Sequence, residues 1–275
     1  MADSYAEQCG NDLRRLDPDR WLTTLFAPDD RRPGLFALYA FNAEIARARE
    51  SVSQPMIGQI RLQWWREAWD GIAAGKPRQH PVVLALHDHC RPLDLQTVMA
   101  LIDARERDMD DAPFADLAGL TAYARATSAP LMKLAAQHLG AALGDDIADA
   151  AGTAYALTGI LRATPHLLVH HRVLLPADLL ADAGLMPEAA YQTDTGSALQ
   201  PVYARIAAEA EQALRSARAY NVPRAALPAV LPMTLAGLML KSLRRCGHDP
   251  VQAEAGVTPL KRQLALLWAS LRGRF

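Results

Sequence analysis

Apolar residues recur at helical spacing along almost the whole chain, and prolines, glycines and aspartates divide the pattern into segments. Alanine and leucine are abundant, β-branched residues are sparse, and no segment alternates polar and apolar residues as a half-buried strand would. These patterns predict an all-α protein of about ten helices in one domain, residues 1–275. The predicted helices span about 33–51, 56–74, 81–90, 95–110, 115–127, 129–140, 146–169, 176–184, 199–220, 231–245 and 258–272. We expect residues 1–15 and 191–198 to be the most mobile parts.

Composition excludes several classes of function. Hydrophobic residues make up 51% of the 275 residues, which is enough for a substantial core. The formal net charge is −1 and the charges are mixed, so we expect no nucleic-acid partner. The cysteines Cys9, Cys90 and Cys246 are odd in number and form no CxxC motif. They indicate a reduced protein of the cytosolic type, without a disulfide framework.

The apolar stretches are too short to predict a membrane-spanning helix. The longest, 225–240, contains Pro228 and Pro232, and its length is below the roughly 20 residues that a span needs. It predicts a buried helix that begins near Pro232. The first residues resemble neither a secretory signal nor an arginine-rich transit peptide. We expect a cytoplasmic location, with peripheral contact at the inner face of a bacterial inner membrane as an open alternative.

Three ordered stretches carry a resemblance to a known family. They are ALYAFNAEIARARE at 37–50, IRLQWWREAWDGI at 60–72 and LTGILRATPHLLVHHRVLLPADLL at 157–180. Their order and spacing resemble those of the squalene/phytoene synthase family, over about residues 10–270. The resemblance implies an isoprenoid synthase-type helical bundle around a central cavity. In that family, two aspartate-rich motifs on facing helices hold magnesium ions that grip a prenyl diphosphate.

Most of those aspartates are replaced in this chain. The first motif falls on Ala46, Arg47 and Glu50, and the second on Ala163, His166 and Leu167. Only Glu50 retains a carboxylate, and the cationic side chain of Arg47 would repel Mg²⁺. The replacements argue against the family's synthase reaction, so we assign no catalytic residue with confidence and expect no cofactor.

A narrower resemblance suggests a different function. The stretches AFNAEIARARESVS at 40–53, DARERDMDD at 103–111 and LRATP at 161–165 resemble the complex I assembly factor 6 group and its bacterial relatives. The resemblance implies a non-enzymatic assembly factor for respiratory complex I, whose partner is a complex I subunit or assembly intermediate. It also implies a retained apolar cavity for an isoprenoid or lipid ligand. A mitochondrial member would need a transit peptide, so we expect a bacterial source.

Two alternatives remain open at this point. The first is a divergent prenyltransferase that uses Glu50 and the acids of 103–111 with Mg²⁺. The second is an isoprenoid- or lipid-binding module with no role in assembly.

The candidate ligand-binding residues are aromatic or basic. They are Tyr39, Arg47, Arg61, Trp65, Tyr123, Arg162, His166 and Arg172. Arg47 could instead form a helix-face ion pair with Glu44 or Glu50. The tryptophans at 64, 65 and 69 are more typical of a core, with Arg61 and Arg66 beside them as possible cavity-lining groups.

Metal binding receives only weak support. Asp103, Glu106 and Asp110 fall on one helical stripe, but a solvated face in which they pair with Arg105 and Arg107 explains the same pattern. The weak metal candidates are Glu50, Asp103 and Asp110. His166 and His170 are spaced as a metal pair would be, yet no third ligand is evident, so we favour surface histidines or a basic rim of the cavity.

Overall fold

The computed structural model describes residues 2–50, 52, 54–191 and 196–275. The described residues form fourteen α-helices and no β-strand. Ten of these helices have nine or more residues, which agrees with the predicted number. The helices are α1 (Ala2–Leu16), α2 (Pro18–Thr24), α3 (Arg32–Ala46), α4 (Pro55–Ala73), α5 (Pro81–His89), α6 (Leu95–Ala104), α7 (Leu117–His138), α8 (Asp145–Val169), α9 (Ala177–Asp182), α10 (Gln200–Arg218), α11 (Leu227–Val230), α12 (Pro232–Arg245), α13 (Pro250–Ala255) and α14 (Pro259–Arg272). Three short 3₁₀ helices span Arg105–Met109, Pro187–Tyr191 and Arg224–Ala226.

Local sequence signals explain where many helices begin. Six helices have proline as their first residue, where the missing N–H costs no hydrogen bond. Aspartate caps the start of α7, because the Asp116 carboxylate accepts a hydrogen bond from the Gly119 N–H at 2.7 Å. Asp94 caps α6 in the same way, with the Thr97 N–H as donor. These signals make the helix starts easier to predict than the ends.

The helix predicted over 33–51 is shorter than expected. Helix α3 ends at Ala46, and residues 47–50 form a turn. Arg49 in that turn donates to both carboxylate oxygens of Asp111, at 3.0 and 2.9 Å. Since Asp111 is distant in sequence, the hydrophobic pattern within 33–51 could not predict this contact.

Two further predictions of helix boundaries were wrong. The segments 115–127 and 129–140 form one continuous helix, α7, with Pro130 inside it. The segment 95–110 is α6 followed by the 3₁₀ helix Arg105–Met109. That break removes the single helical stripe expected for the acids between 103 and 110.

The N-terminal segment, which we expected to be mobile, is helical from Ala2 onward. Helix α1 packs against α3 and α5. Its inner face consists of Ala6, Cys9 and Leu13, all of which are buried. The spacing of these three residues is that of an amphipathic helix, which the charged residues between them conceal. Of the other segment expected to be mobile, 191–198, residues 192–195 lie outside the described part of the chain.

Helices α7 and α8 form the centre of the bundle. They pack against each other along most of their length, and α10 covers another side of α8. Gly152 of α8 lies against the Ala129 backbone, where an added Cβ would come within 2.5 Å of the Ala129 nitrogen. This close approach brings the two long helices together beside the cavity described below.

The apolar stretch 225–240 folds as predicted. Helix α12 begins at Pro232, and its apolar side chains, such as Met233 and Leu240, are buried. No single helix among the described residues has both the length and the hydropathy needed to cross a membrane. Arg224–Val230 and Pro232–Arg245 reach those limits only when taken together, and they are bent by 44°.

Candidate functional site

The two degenerate motifs meet at one cavity. Ala46 at the end of α3 and Glu50 in the following turn line one side of it. Ala163 and Leu167 of α8 line another. The cavity has a volume of about 270 Å³. The aligned motif positions therefore face each other, as the resemblance implies, but methyl and isobutyl groups now occupy much of that surface.

The cavity has an apolar side and a charged side. Helix α8 supplies the apolar side, to which Ala156, Ile160 and Leu167 contribute. The charged and polar side chains come from α2, α7, α8, the 3₁₀ helix Arg105–Met109 and the segments that follow α3 and α8. They are Arg20, Glu50, Arg105, Asp108, Tyr123, Thr127, Ser128, Tyr155 and Arg172. The central apolar cavity that we expected is therefore mixed in character.

Asp108, Tyr123 and Arg105 form a hydrogen-bonded cluster in the cavity wall. The Tyr123 hydroxyl donates to the Asp108 carboxylate and accepts from Nη1 of Arg105 at 3.1 Å. The same Arg105 Nη1 lies 3.6 Å from the other Asp108 carboxylate oxygen. Burial raises the pKa of Tyr123 above its ordinary value. Tyr123 is therefore a neutral hydrogen-bond donor at physiological pH.

Arg172 connects this cluster to the remaining carboxylate of the first motif. Its Nη2 donates to the Asp108 backbone carbonyl at 3.3 Å, and its Nη1 lies 3.9 Å from Glu50. The Arg47 Nε lies 4.0 Å from the same carboxylate. Glu50 therefore faces two guanidinium groups. Their positive charges neutralise the carboxylate, which would otherwise attract a metal ion.

Arg20 closes another part of the cavity and was not predicted from the sequence. Its guanidinium lies 4.6 Å from the ring centre of Tyr155 and 5.7 Å from that of Tyr39. Its Nη1 also donates to Asp17 at 2.6 Å. Burial raises the pKa of Tyr39 to about 12. Tyr39 itself does not line the cavity but supports the arginine that does.

The cavity wall retains hydrogen-bonding capacity. Among the described residues, Arg105 Nε, Asp108 Oδ2 and Ser128 Oγ are buried and form no hydrogen bond. Such atoms are costly unless a partner reaches them. Ser128 lines the cavity and was not among the candidate residues from the sequence. The arrangement suits a small polar occupant that both donates and accepts hydrogen bonds.

The family's magnesium ions do not fit this cavity. Mg²⁺ requires oxygen ligands, and Ala46, Ala163 and Leu167 provide none. The two carboxylates that line the cavity, Glu50 and Asp108, both have arginine neighbours. Across residues 2–50, 52, 54–191 and 196–275, no group of three or more histidine, cysteine, aspartate or glutamate side chains could hold a metal ion.

Several candidate ligand-binding residues lie away from the cavity. Arg61 and His166 are exposed, and the side chain of Arg47 is 53% exposed. The rings of His166 and His170 contact each other, with centroids 4.4 Å apart. None of these side chains lines the cavity, so His166 is a surface histidine and not part of a cavity rim.

Trp65 and Arg162 have structural contacts instead. Trp65 is buried, with its ring 4.9 Å from that of Phe41, as expected for a core tryptophan. Arg162 of α8 turns away from the cavity and binds Asp19, which also accepts from Arg262 at 2.7 Å. These contacts tie α8 and α14 to α2.

The acids of 103–111 are mostly paired with arginines. Asp103 and Glu106 both bind Arg66 of α4. The expected pairing of Asp110 with Arg107 is present, at 3.3 Å. Arg66 therefore anchors α4 to the end of α6 and to the 3₁₀ helix that follows, and it does not line the cavity. Among the described residues, these acids form no substitute metal site with Glu50.

The fold and the facing motif positions define a protein of the isoprenoid synthase type. Residues 13–265 match the squalene/phytoene synthase family, and the chain belongs to that family. The resemblance read from the three sequence stretches is therefore confirmed.

Its relatives in sequence include complex I assembly factor 6 from Bos taurus and from Homo sapiens. Each is 31% identical over 243 residues, which cover 86% of this chain and 73% of the relative. A chloroplastic phytoene synthase from Narcissus pseudonarcissus is 26% identical over 68% of this chain and 46% of its own length. Both the assembly factors and the synthase are thus recognisable relatives.

Solved structures support the fold alone. A dehydrosqualene synthase has a TM-score of 0.80 at 14% identity, covering 98% of this chain and 97% of that one. Squalene synthase HpnC from Alicyclobacillus acidocaldarius has a TM-score of 0.76 at 20% identity, covering 90% and 96%. The predicted all-α, isoprenoid synthase-type bundle is confirmed.

Proposed function

We propose that the protein is a non-enzymatic assembly factor for respiratory complex I. The observation that carries this proposal is the cavity where the two motifs meet. There, Ala46, Ala163 and Leu167 stand at positions where the family's reaction needs carboxylates. The relatives named complex I assembly factor 6, at about 30% identity over most of the chain, support the same function.

The divergent prenyltransferase alternative is disfavoured by charge. A diphosphate leaving group needs concentrated positive charge as its C–O bond breaks, and metal ions supply it in the family. Here the nearby arginines are already engaged with acids or tyrosines, such as Arg105 with Asp108 and Arg20 with Asp17. We therefore propose that the protein acts without a metal ion or other cofactor.

The volume and lining of the cavity restrict the kind of ligand that it could hold. Its volume of about 270 Å³ lies slightly below the usual range for drug-sized ligands, about 300–1,000 Å³. It is small for a whole prenyl chain, but its mixed lining suits a compact polar group that carries a short apolar part. A cavity ligand of this kind would stabilise the bundle, since it would bridge α2, α7 and α8.

The proposed partner is a complex I subunit or an assembly intermediate, and the proposed location is the cytoplasmic side of a bacterial inner membrane.

The experiment that tests the function is deletion of the gene in the organism that encodes it. Membranes are then assayed for NADH:quinone oxidoreductase activity, with succinate oxidation as the internal control. We expect a selective loss that the wild-type gene restores. Unchanged NADH oxidation would contradict the proposal.

A second assay separates this function from the enzymatic alternative. The purified protein is incubated with farnesyl or geranylgeranyl diphosphate and Mg²⁺, and released pyrophosphate is measured. We expect no release above a protein-free control. Magnesium-dependent release would establish a prenyltransferase instead. A lipid-binding module without an assembly role would give an intact respiratory chain together with a ligand that copurifies.

A further inference from the structure

The last helix presents a large apolar face to solvent. Five side chains of α14 are exposed: Leu260 by 64%, Leu264 by 57%, Leu267 by 50%, Trp268 by 57% and Leu271 by 66%. Single exposed leucines are common on protein surfaces, but five large apolar side chains on one short helix are not. This surface, here called the α14 outer face, plays no part in the cavity.

The spacing of these residues gives one continuous stripe. Positions 260, 264, 267, 268 and 271 recur at intervals of three and four, so they cover an arc of about 100° on an α-helix. The opposite side of α14 packs into the bundle through Leu266 and Ala269, both of which are buried. Arg262 fixes that inner side by binding Asp19. The outer face therefore cannot turn inward without breaking these contacts.

The charges within the segment that carries the stripe have a single sign, and the acids that contact α14, Asp19 and Glu254, bind Arg262 on its inner side. Residues 256–275 contain Lys261, Arg262, Arg272 and Arg274 and no aspartate or glutamate. Arg272 stacks on Trp268, with its guanidinium carbon 4.1 Å from the ring centre. A basic helix segment with leucines and a tryptophan on its exposed side is typical of helices that lie in the interface of a bilayer.

We propose that the α14 outer face binds the surface of a membrane that contains anionic lipids. The leucines and Trp268 insert at the level of the headgroups and upper acyl chains. Lys261, Arg272 and Arg274 pair with lipid phosphates. No helix needs to span the bilayer, and α14 would lie parallel to its plane.

The observations favour a lipid surface over a protein groove. The stripe is formed only by Leu260, Leu264, Leu267, Trp268 and Leu271, so it contains no polar side chain that would specify a partner by hydrogen bonds. Because residues 256–275 contain basic but no acidic side chains, the partner should be anionic. A bilayer with anionic lipids provides such a surface and does not require a matching shape. The inference does not rest on the proposed role in complex I assembly, and either can fail alone.

Flotation with vesicles tests the proposal on the purified protein. One set of vesicles contains equal parts of phosphatidylcholine and phosphatidylglycerol, and the other contains phosphatidylcholine alone. We expect binding to the anionic vesicles, weaker binding to the neutral ones, and further weakening as salt is added. The double variant Leu264→Gln and Leu267→Gln should bind the anionic vesicles at least about tenfold more weakly, because each leucine loses most of its transfer free energy.

The matched control changes two exposed apolar residues on another helix. Ile57 and Ile60 of α4 are 42% and 61% exposed, and both become glutamine. We expect this variant to bind like the wild type, and circular dichroism should show that both variants fold. The proposal is overturned if neither vesicle binds, or if both double variants lose binding equally. A dimer in solution that only the α14 variant dissociates would also overturn it, since a second copy would then cover the face.

Discussion

At the scale of single residues, Asp19 of α2 is a buried acid that is held by two arginines. It is 3% exposed, and its two carboxylate oxygens accept from Arg162 and Arg262. Arg262 also binds Glu254 of α13. The cluster connects the start of the chain with its last helices. Because the acid is buried, its loss would leave two guanidinium groups without their main partner.

Asp19→Asn should therefore lower the free energy of unfolding by about 3 kcal/mol. The matched control is Asp12→Asn, because Asp12 pairs with Arg15 on the exposed side of α1. We expect that control to change stability by less than about 0.5 kcal/mol. Urea unfolding followed by circular dichroism measures both. Equal effects from the two variants would mean that the Asp19 cluster carries no special stability.

Glu44 of α3 is a second residue with a measurable signature. The sequence suggested an ion pair with Arg47, but the carboxylate faces His80 of the loop before α5, at 3.8 Å. Burial raises the pKa of Glu44 to about 7 from its ordinary 4.5, against the opposing effect of Arg61. Burial also lowers the pKa of His80, so the imidazole is neutral near neutral pH and does not neutralise the acid.

The raised pKa of Glu44 predicts a pH-dependent stability. Its contribution is complete below about pH 4.5 and is lost as the pH rises through about 7, because the folded state then holds a poorly solvated charge. Glu44→Gln should thus change little near pH 4 and stabilise the protein by about 3 kcal/mol near pH 8. Thermal unfolding across this pH range tests it. If Glu44→Gln stabilised the protein equally at pH 4 and at pH 8, the raised pKa of Glu44 would be contradicted.

The sequence identified some site residues and missed others for a physical reason. Tyr123 and Arg172 were proposed as ligand-binding candidates, and both line the cavity. Arg162 belongs to the same motif as Ala163, yet it turns toward Asp19, because the rotation of α8 depends on packing partners far along the chain. Arg20 gives no local signal, since an arginine is buried only when acids and aromatic rings surround it.

At the scale of elements, the close contact between α7 and α8 shapes the cavity region. Gly152 allows it, because any side chain there would overlap the backbone of Ala129. Gly159 lies two turns further along α8, and a Cβ there would meet nothing within 4 Å. The two glycines share a helix but differ in their surroundings, which makes them a matched pair.

Gly152→Ala should destabilise the protein by about 2 kcal/mol or more, since overpacking outweighs the gain in helix propensity. Gly159→Ala should instead stabilise it by up to about 1 kcal/mol, which is the propensity difference in a helix interior. Chemical unfolding of the two variants decides the point. If Gly152→Ala were neutral, α7 and α8 could separate at little cost.

The existence of most of the long helices was predictable, with α1 as the exception, whereas several boundaries were not. Proline signals place the starts of α4, α5, α12 and α14 close to where they occur. Helix α3 ends before a turn in which Arg49 binds Asp111, a contact that no local pattern reveals. The sequence around Pro130 predicted two helices, but the structure has one continuous helix, α7, which packs against α8. Tertiary contacts thus explain the errors.

At the scale of the whole molecule, the chain keeps the synthase fold without the synthase metal site. Its bundle matches known synthase structures, while Ala46, Ala163 and Leu167 face the cavity in place of oxygen ligands. The motif order was enough to predict both the fold and the meeting of these positions. The contacts among the cavity arginines and tyrosines could not be predicted, because these residues come from separate segments of the chain.

The altered cavity predicts that Mg²⁺ and pyrophosphate do not stabilise the protein. A ligand that binds only the folded state raises the melting temperature, so we expect a shift below about 1 °C in differential scanning fluorimetry. The comparison variant carries aspartate at 46, 47, 163 and 167. Its melting temperature should rise with Mg²⁺ if the fold can still hold the family's metal site. A clear magnesium-dependent shift in the wild type would contradict the proposed loss of the site.

The most direct test of the central claim measures assembly itself. Membranes from the deletion strain, with and without the wild-type gene, are separated on a native gel and stained for NADH dehydrogenase activity. If the protein is a non-enzymatic assembly factor, fully assembled complex I is lost, smaller subcomplexes accumulate, and the gene restores the complete enzyme. Equal amounts of assembled complex I with and without the gene would contradict the account.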